Sequence, residues 1–155
     1  MHRKNFIFLP NFRSNNLIDF MDLCERLSII LVTSPIVSHP ATELIDKVID
    51  SFSLVDGLTS CSLTIIADGV NLGKYRPKRG SVTQEMIDNY KLYIQALQDK
   101  ANNCLNADSI WSRTRVMCMP EHVGFGHAVY HGLRLCQTDH VMVVQHDHPF
   151  SLEFR

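Results

Sequence analysis

The stretch HVMVVQHDHPF, residues 140–150, sets an unbroken apolar run, Val141 to Val144, directly before Gln145, His146, Asp147 and His148. Continuous β-branched runs of this kind are the pattern of a strand covered on both faces, as in a parallel sheet. Such a strand delivers a carboxylate and two imidazoles to its own carboxyl tip. The tip is a metal site, a catalytic site or a polar loop after a buried strand, and these residues alone leave the three open.

Upstream the same pattern recurs. LSIILV (27–32) and CSLTIIA (61–67, followed by an Asp-Gly turn signal) read as two more buried strands, and TRVMCMP (114–120) as another, stopped by Pro120. Between them lie helical patterns. ATELIDKVIDSF (41–52) carries a stripe at Leu44, Ile45, Val48, Ile49 and Phe52, with Pro40 suited to its start. SVTQEMIDNYKLYIQALQDKA (81–101) is the longest, with Ser81 or Thr83 as cap and Met86, Tyr90, Tyr93, Ile94 and Leu97 as inner face. GFGHAVYHGLRLC (124–136) opens on two glycines and continues as a short helix. Strand and helix alternate, which predicts right-handed crossovers and a three-layer α/β/α domain on a mostly parallel, Rossmann-like sheet. NLIDFMDLCERL (16–27) suggests an N-terminal helical extension, so the expected organisation is an extension over residues 1–26 and one domain over 27–155.

A chain of 155 residues, 45% hydrophobic and 20% charged, has the balance of a globular domain with a sizeable core. The formal net charge of -1 makes no bulk case for nucleic acid or an anionic membrane. One basic cluster, GKYRPKRG (73–80), reads as a solvated loop. The five cysteines (Cys24, Cys61, Cys104, Cys118, Cys136) include no CxxC pair, which favours a reducing, cytoplasmic setting over a disulfide framework. The apolar run Phe6 to Leu9 is too short for a signal-peptide core, and no segment approaches a membrane span.

In an open parallel sheet, ligands bind beyond the carboxyl ends of the strands. The residues there are Thr33, Ser34 and Pro35; Asp68 and Gly69; Glu121, His122, Gly124 and Gly126; and Gln145 to His148. A carboxylate beside an imidazole, here Asp147 and His148, suits Mn2+ or Mg2+ when a ligand's phosphate oxygens and water complete the shell. His127 and His131, one turn apart and joined by His122, raise a zinc reading. They lack the Glu of HExxH and any cysteine pair, so ordinary helix histidines are the expectation. Ser34 lies outside a GxSxG elbow, and the GxG before residue 127 lacks the spacing of a dinucleotide fingerprint.

The segment from Gly124 to Phe150 resembles the nucleotide-sugar half of family 2 glycosyltransferases with the GT-A fold. Gly124 and Gly126 match that family's glycine-rich turn, Ala128 and Gly132-Leu133 its helix, Asp139 the acid before the strand, and Gln145-His146-Asp147 its DxD metal motif. LSIILVTSP and LTIIADGV are similar to its first two strands. Gln145 replaces the first acid of DxD, and Tyr130 stands where the family has Asn. The resemblance implies a nucleoside diphosphate sugar donor, held by Thr33, Ser34, Pro35, Asp68, Gly126 and Gln145. It further implies a divalent metal at Asp147 and His148, and transfer to an acceptor hydroxyl on a glycan, protein or lipid. The family's catalytic base follows the DxD motif at a distance beyond Arg155, so no base is assigned. A nucleotidyltransferase making nucleotide sugars, with a similar sheet, and a non-catalytic nucleotide-binding module are the alternatives. The first would carry a Gly-rich basic loop after the first strand, which TSPIVSHP is not.

Overall fold

The computed structural model describes residues 23–72, 75–76 and 80–151. In chain order the elements are β1 (Leu27–Thr33), α1 (Glu43–Asp50), β2 (Ser62–Ala67), β3 (Tyr75–Arg76), β4 (Gly80–Ser81), α2 (Gln84–Asn102), β5 (Thr114–Cys118), α3 (Phe125–Leu133) and β6 (His140–Gln145). Single 3-10 turns follow α1 and precede β2 and β5. The expected extension over 1–26 lies outside the described residues except for 23–26, which are helical. Within the basic segment, β3 and β4 pair as a short antiparallel ribbon where the sequence suggested only loop.

The four apolar runs form one sheet of order β5-β2-β1-β6, and every pairing in it is parallel. All seven residues of β1 are buried, which is why that run carries no polar alternation. Its odd-numbered side chains, Leu27, Ile29 and Leu31, join Ile45, Val48 and Ile49 of α1 and Tyr90, Tyr93 and Leu97 of α2 in the main core. Its even-numbered side chains Ile30 and Val32 join Ile66 and Ala128 of α3 on the opposite face. The result is the three-layer α/β/α, Rossmann-like domain expected from the alternation. Each fully buried Ile or Leu in these layers contributes about 1.5–3 kcal/mol over its exposed state.

The helix ends follow local chemistry. Thr83 caps α2, its hydroxyl accepting the Met86 N–H at 3.2 Å. Thr42 precedes α1 without capping it; its hydroxyl donates instead to Asp46, which also holds Lys100 of α2 at 2.6 Å. Leu44 of the expected stripe faces solvent at 36% exposure, because α1 buries only Ile45, Val48 and Ile49. Glycine at 132 lets α3 lie close on the sheet, since a β-carbon there would come within 2.6 Å of Ile66 Cδ1 and 2.9 Å of Ile30 Cδ1. Among the described residues, no helix is long and apolar enough to cross a membrane, and Cys61, Cys104, Cys118 and Cys136 are thiols outside any disulfide.

Candidate functional site

From β1 the chain steps outward through α1 to β2 and through α2 to β5, then returns by α3 to β6 on the far side of β1. The direction of winding therefore reverses between β1 and β6. In open α/β sheets such a reversal, at the carboxyl edge, is where ligands bind. Val32 and Gln145 are register partners at that edge, and the His146 N–H donates to the Val32 carbonyl at 3.2 Å. Ser34, half-buried, follows β1 at this rim, and Gln145, His146, Asp147 and His148 close β6 beside it. A turn closed by the His148 N–H on the Gln145 carbonyl, 3.2 Å, holds this end of β6. Beyond it, the Phe150 N–H donates to Ser51 Oγ at 3.0 Å, and the Phe150 ring packs on Phe52.

Asp147 and His148 are both exposed, with Asp147 Oδ1 2.6 Å from His148 Nδ1. Partial burial raises the Asp147 carboxyl, but the hydrogen bond to His148 and the nearby His146 and His148 charges outweigh it and hold the group below its ordinary value. Asp147 is thus a carboxylate near neutrality. Together the two side chains fit as a minority of a hard cation's shell. Among the described residues, no cluster of three or more His, Cys, Asp or Glu is arranged to hold a metal. An ion here would take its other ligands from phosphate oxygens and water.

Thr33 ends β1 and Asp68 follows β2, the strand ends expected of them, with both side chains buried. Thr33 is fully buried, its hydroxyl 3.2 Å from the Tyr93 hydroxyl and its carbonyl accepting from the Asp68 N–H at 2.9 Å. The Tyr90 hydroxyl lies 3.3 Å from the Thr33 carbonyl and 3.0 Å from that of Asp68, tying the exits of β1 and β2 to α2. The Asp68 carboxylate turns inward. It accepts the Val123 N–H at 2.9 Å and the Gly124 N–H at 3.1 Å, and Oδ2 lies 2.7 Å from His122 Nδ1, outside the alignment of a hydrogen bond. The amino end of α3, where a phosphate would otherwise find backbone donors, already holds an anion of the chain itself. Gly126 is exposed on the first turn of α3, with open space around it. Pro35 is buried in the loop after β1.

His39, which the sequence gave no reason to single out, is buried in the loop after β1 at 4% exposure. Its ring stacks on Tyr93 with centroids 3.9 Å apart and on Tyr90 at 5.2 Å, and Nδ1 accepts the Ile36 N–H at 3.3 Å. Burial, with the neighbouring His146 adding to it, pushes its pKa down to about 4. An imidazole in an otherwise turn-like segment gives no signal of burial; the only hint was the pair Tyr90 and Tyr93 on the inner face of α2. His127 is exposed and His131 half-buried on α3.

Gly69 fixes the contact between the loops that follow β2 and β5. A β-carbon there would lie 2.2 Å from the Glu121 carbonyl carbon and oxygen, so a larger residue must move backbone rather than a side-chain tip. Gly69→Ala is therefore expected to lower stability by about 1–3 kcal/mol. Gly132→Ala, whose nearest neighbours are side-chain methyls of Ile66 and Ile30 rather than backbone, should lose less; urea unfolding of both variants gives the ranking.

No protein-family model, curated protein or solved structure matches the chain.

Proposed function

We propose that the chain binds a nucleoside diphosphate sugar in the crevice between β1 and β6 and serves as the donor-binding portion of a glycosyltransferase that acts with Mg2+ or Mn2+ on an acceptor hydroxyl. The observation that carries this reading is the reversal of winding beside β1, which sets Ser34 against Gln145, Asp147 and His148 on one rim. In this reading Ser34 and Gln145 meet the nucleoside. Thr33 and Pro35 support Ser34 from either side, and Asp68 holds the adjoining loop in place rather than meeting the base. Asp147, ionised and exposed, with His148 beside it, would hold the cation. Such an ion supplies charge to offset a departing diphosphate.

Uridine or guanosine diphosphate is expected to raise the melting temperature only in the presence of Mg2+ or Mn2+. A ligand at a hundredfold excess over its dissociation constant stabilises the folded state by about 2.7 kcal/mol. Asp147→Asn keeps size and removes the charge a hard cation needs. It should erase the metal-dependent part of the shift and leave the melting temperature of the free protein nearly unchanged, since the side chain is exposed. Equal melting temperatures across a nucleotide panel, with and without metal, would refute the donor site.

A further inference from the structure

The strand order sets a second polar group beside the first. Val32 and Ile66 pack with Ala128 of α3 on one face of the sheet, and Gln145, the register partner of Val32, stands on that face at the rim. The Asp68 carboxylate reaches the same side, since it accepts from Val123 and Gly124 at the amino end of α3. Asp68 follows β2 and Gln145 ends β6, with β1 between them. At about 4.8 Å for each strand spacing, the two exits are about 10 Å apart. His122, in the loop between β5 and α3, brings Nδ1 to 2.7 Å from Asp68 Oδ2.

Two observations single out this pair. The Asp68 side chain is 3% exposed, and each of its oxygens accepts a backbone N–H, so the carboxylate is fixed independently of the imidazole. His122 Nδ1 is buried without an aligned hydrogen bond, while 25% of the side chain stays exposed on its other atoms. A buried polar atom left in this state is uncommon and calls for a reason, of which catalysis is one. Hydrogen bonds within catalytic pairs are often poorly aligned before substrate binds and tighten in the complex. Two acceptors do not face each other at 2.7 Å, so the proton of a neutral ring belongs on Nδ1 and the lone pair on Nε2.

We infer that His122, oriented by Asp68, is the general base of this rim, taking the proton from the hydroxyl or water that attacks the donor sugar. The inference rests on the donor-site reading and supplies the base that the family resemblance left unassigned. In the step, the attacking oxygen bonds to the anomeric carbon. The bond from that carbon to the diphosphate oxygen breaks, and its electron pair leaves with the diphosphate. The proton of the attacking O–H passes to Nε2 and later to solvent. The Asp68 carboxylate, beside Nδ1, offsets the positive charge the ring then carries, as a buried carboxylate does behind other imidazole bases. Two strand spacings keep this base apart from the cation proposed at Asp147 and His148, so the imidazole is not drawn off as a metal ligand.

The test takes the full chain with Mn2+ and, in turn, uridine diphosphate glucose, uridine diphosphate N-acetylglucosamine and guanosine diphosphate mannose. It reads release of nucleoside diphosphate, with water as the attacking group. Wild type is expected to release it from at least one donor. His122→Asn keeps an N–H where Nδ1 stands and removes Nε2. It should slow release about 100-fold or more, while the melting temperature and its rise with nucleoside diphosphate and Mn2+ stay as in wild type. His122→Ala should be slow as well, and added imidazole should restore part of its rate, which a purely structural role would not allow. Release by His122→Asn at the wild-type rate overturns the inference. So does slowing that comes with a lost melting shift, or that imidazole does not relieve in His122→Ala. A wild-type chain that binds nucleoside diphosphate yet releases none from any donor also overturns it, and leaves the donor site standing. A chain that binds no nucleotide overturns the donor-site reading itself and the inference with it.

Discussion

Asp68→Ala should unfold the protein at far lower urea than wild type, with a loss of about 3–5 kcal/mol, the range for stripping one partner from a buried charged arrangement. The physical reason lies in what the carboxylate leaves behind. It is 2% exposed and accepts two backbone N–H groups, from Val123 and Gly124, while facing His122. Removing it orphans both donors at the amino end of α3, and hydrogen bonds to a charged group contribute about 1.5–3 kcal/mol each. It also removes the negative charge that opposes the positive end of the helix. Domains of this kind are stable by only about 5–15 kcal/mol, so the loss is a large part of that margin at its lower end and about a third of it at its upper end. Asp68→Asn keeps one acceptor oxygen and should fall between the two. If alanine cost under about 1 kcal/mol on the scale of exposed substitutions, the inward-turned carboxylate would be wrong, and Asp68 would be available to a ligand.

Acid should weaken the fold through His39. Its folded pKa is about 4 and its unfolded value about 6.5. Between these limits the unfolded chain holds a proton that the folded chain refuses. Stability from this group is therefore complete above about pH 6.5 and is lost as pH falls toward 4, by about 3 kcal/mol in all. Protonation would also cancel the acceptor that Nδ1 offers to the Ile36 N–H and bring a second positive charge toward His146. His39→Phe keeps an aromatic surface against Tyr90 and Tyr93 but cannot titrate. Its stability should start lower, for want of that acceptor, and then fall less steeply between pH 7 and 4 than wild type. Parallel curves for the two proteins would mean that the ring meets solvent in the native state.

The architecture was legible because each strand is a continuous apolar run and each long helix a clear stripe. The parallel sheet follows from covering both faces of LSIILV and SLTIIA. The rim was legible for the same reason: a residue after such a run must emerge at the carboxyl edge, so Ser34, Gln145 and Asp147 fall where expected. What those rim residues do was less accessible. Asp68 finds its partners 55 and 56 positions along the chain, in backbone N–H groups that carry no side-chain signature. Thr33 reads as a small polar strand end, but the Tyr93 hydroxyl that occupies it comes from 60 residues away. TSPIVSHP has the composition of an exposed turn; only the tertiary fit of His39 between the β1 exit and two tyrosines draws the imidazole inside. Composition records local preference, and these three placements are decided by distant neighbours.

The clasp between α1 and α2 also gives the molecule its own optical gauge. The ammonium of Lys100, drawn toward Asp46, sits 5.4 Å from the centre of the Trp111 ring, and the chain has one tryptophan. Indole emission is quenched and shifted by a nearby cation and by water, so light from this single ring reports whether two helices and the turn before β5 remain joined. That reporter sits on a joint rather than in the crevice. Unlabelled protein can thus show whether a change begun at the rim stays there or loosens the body that supports it.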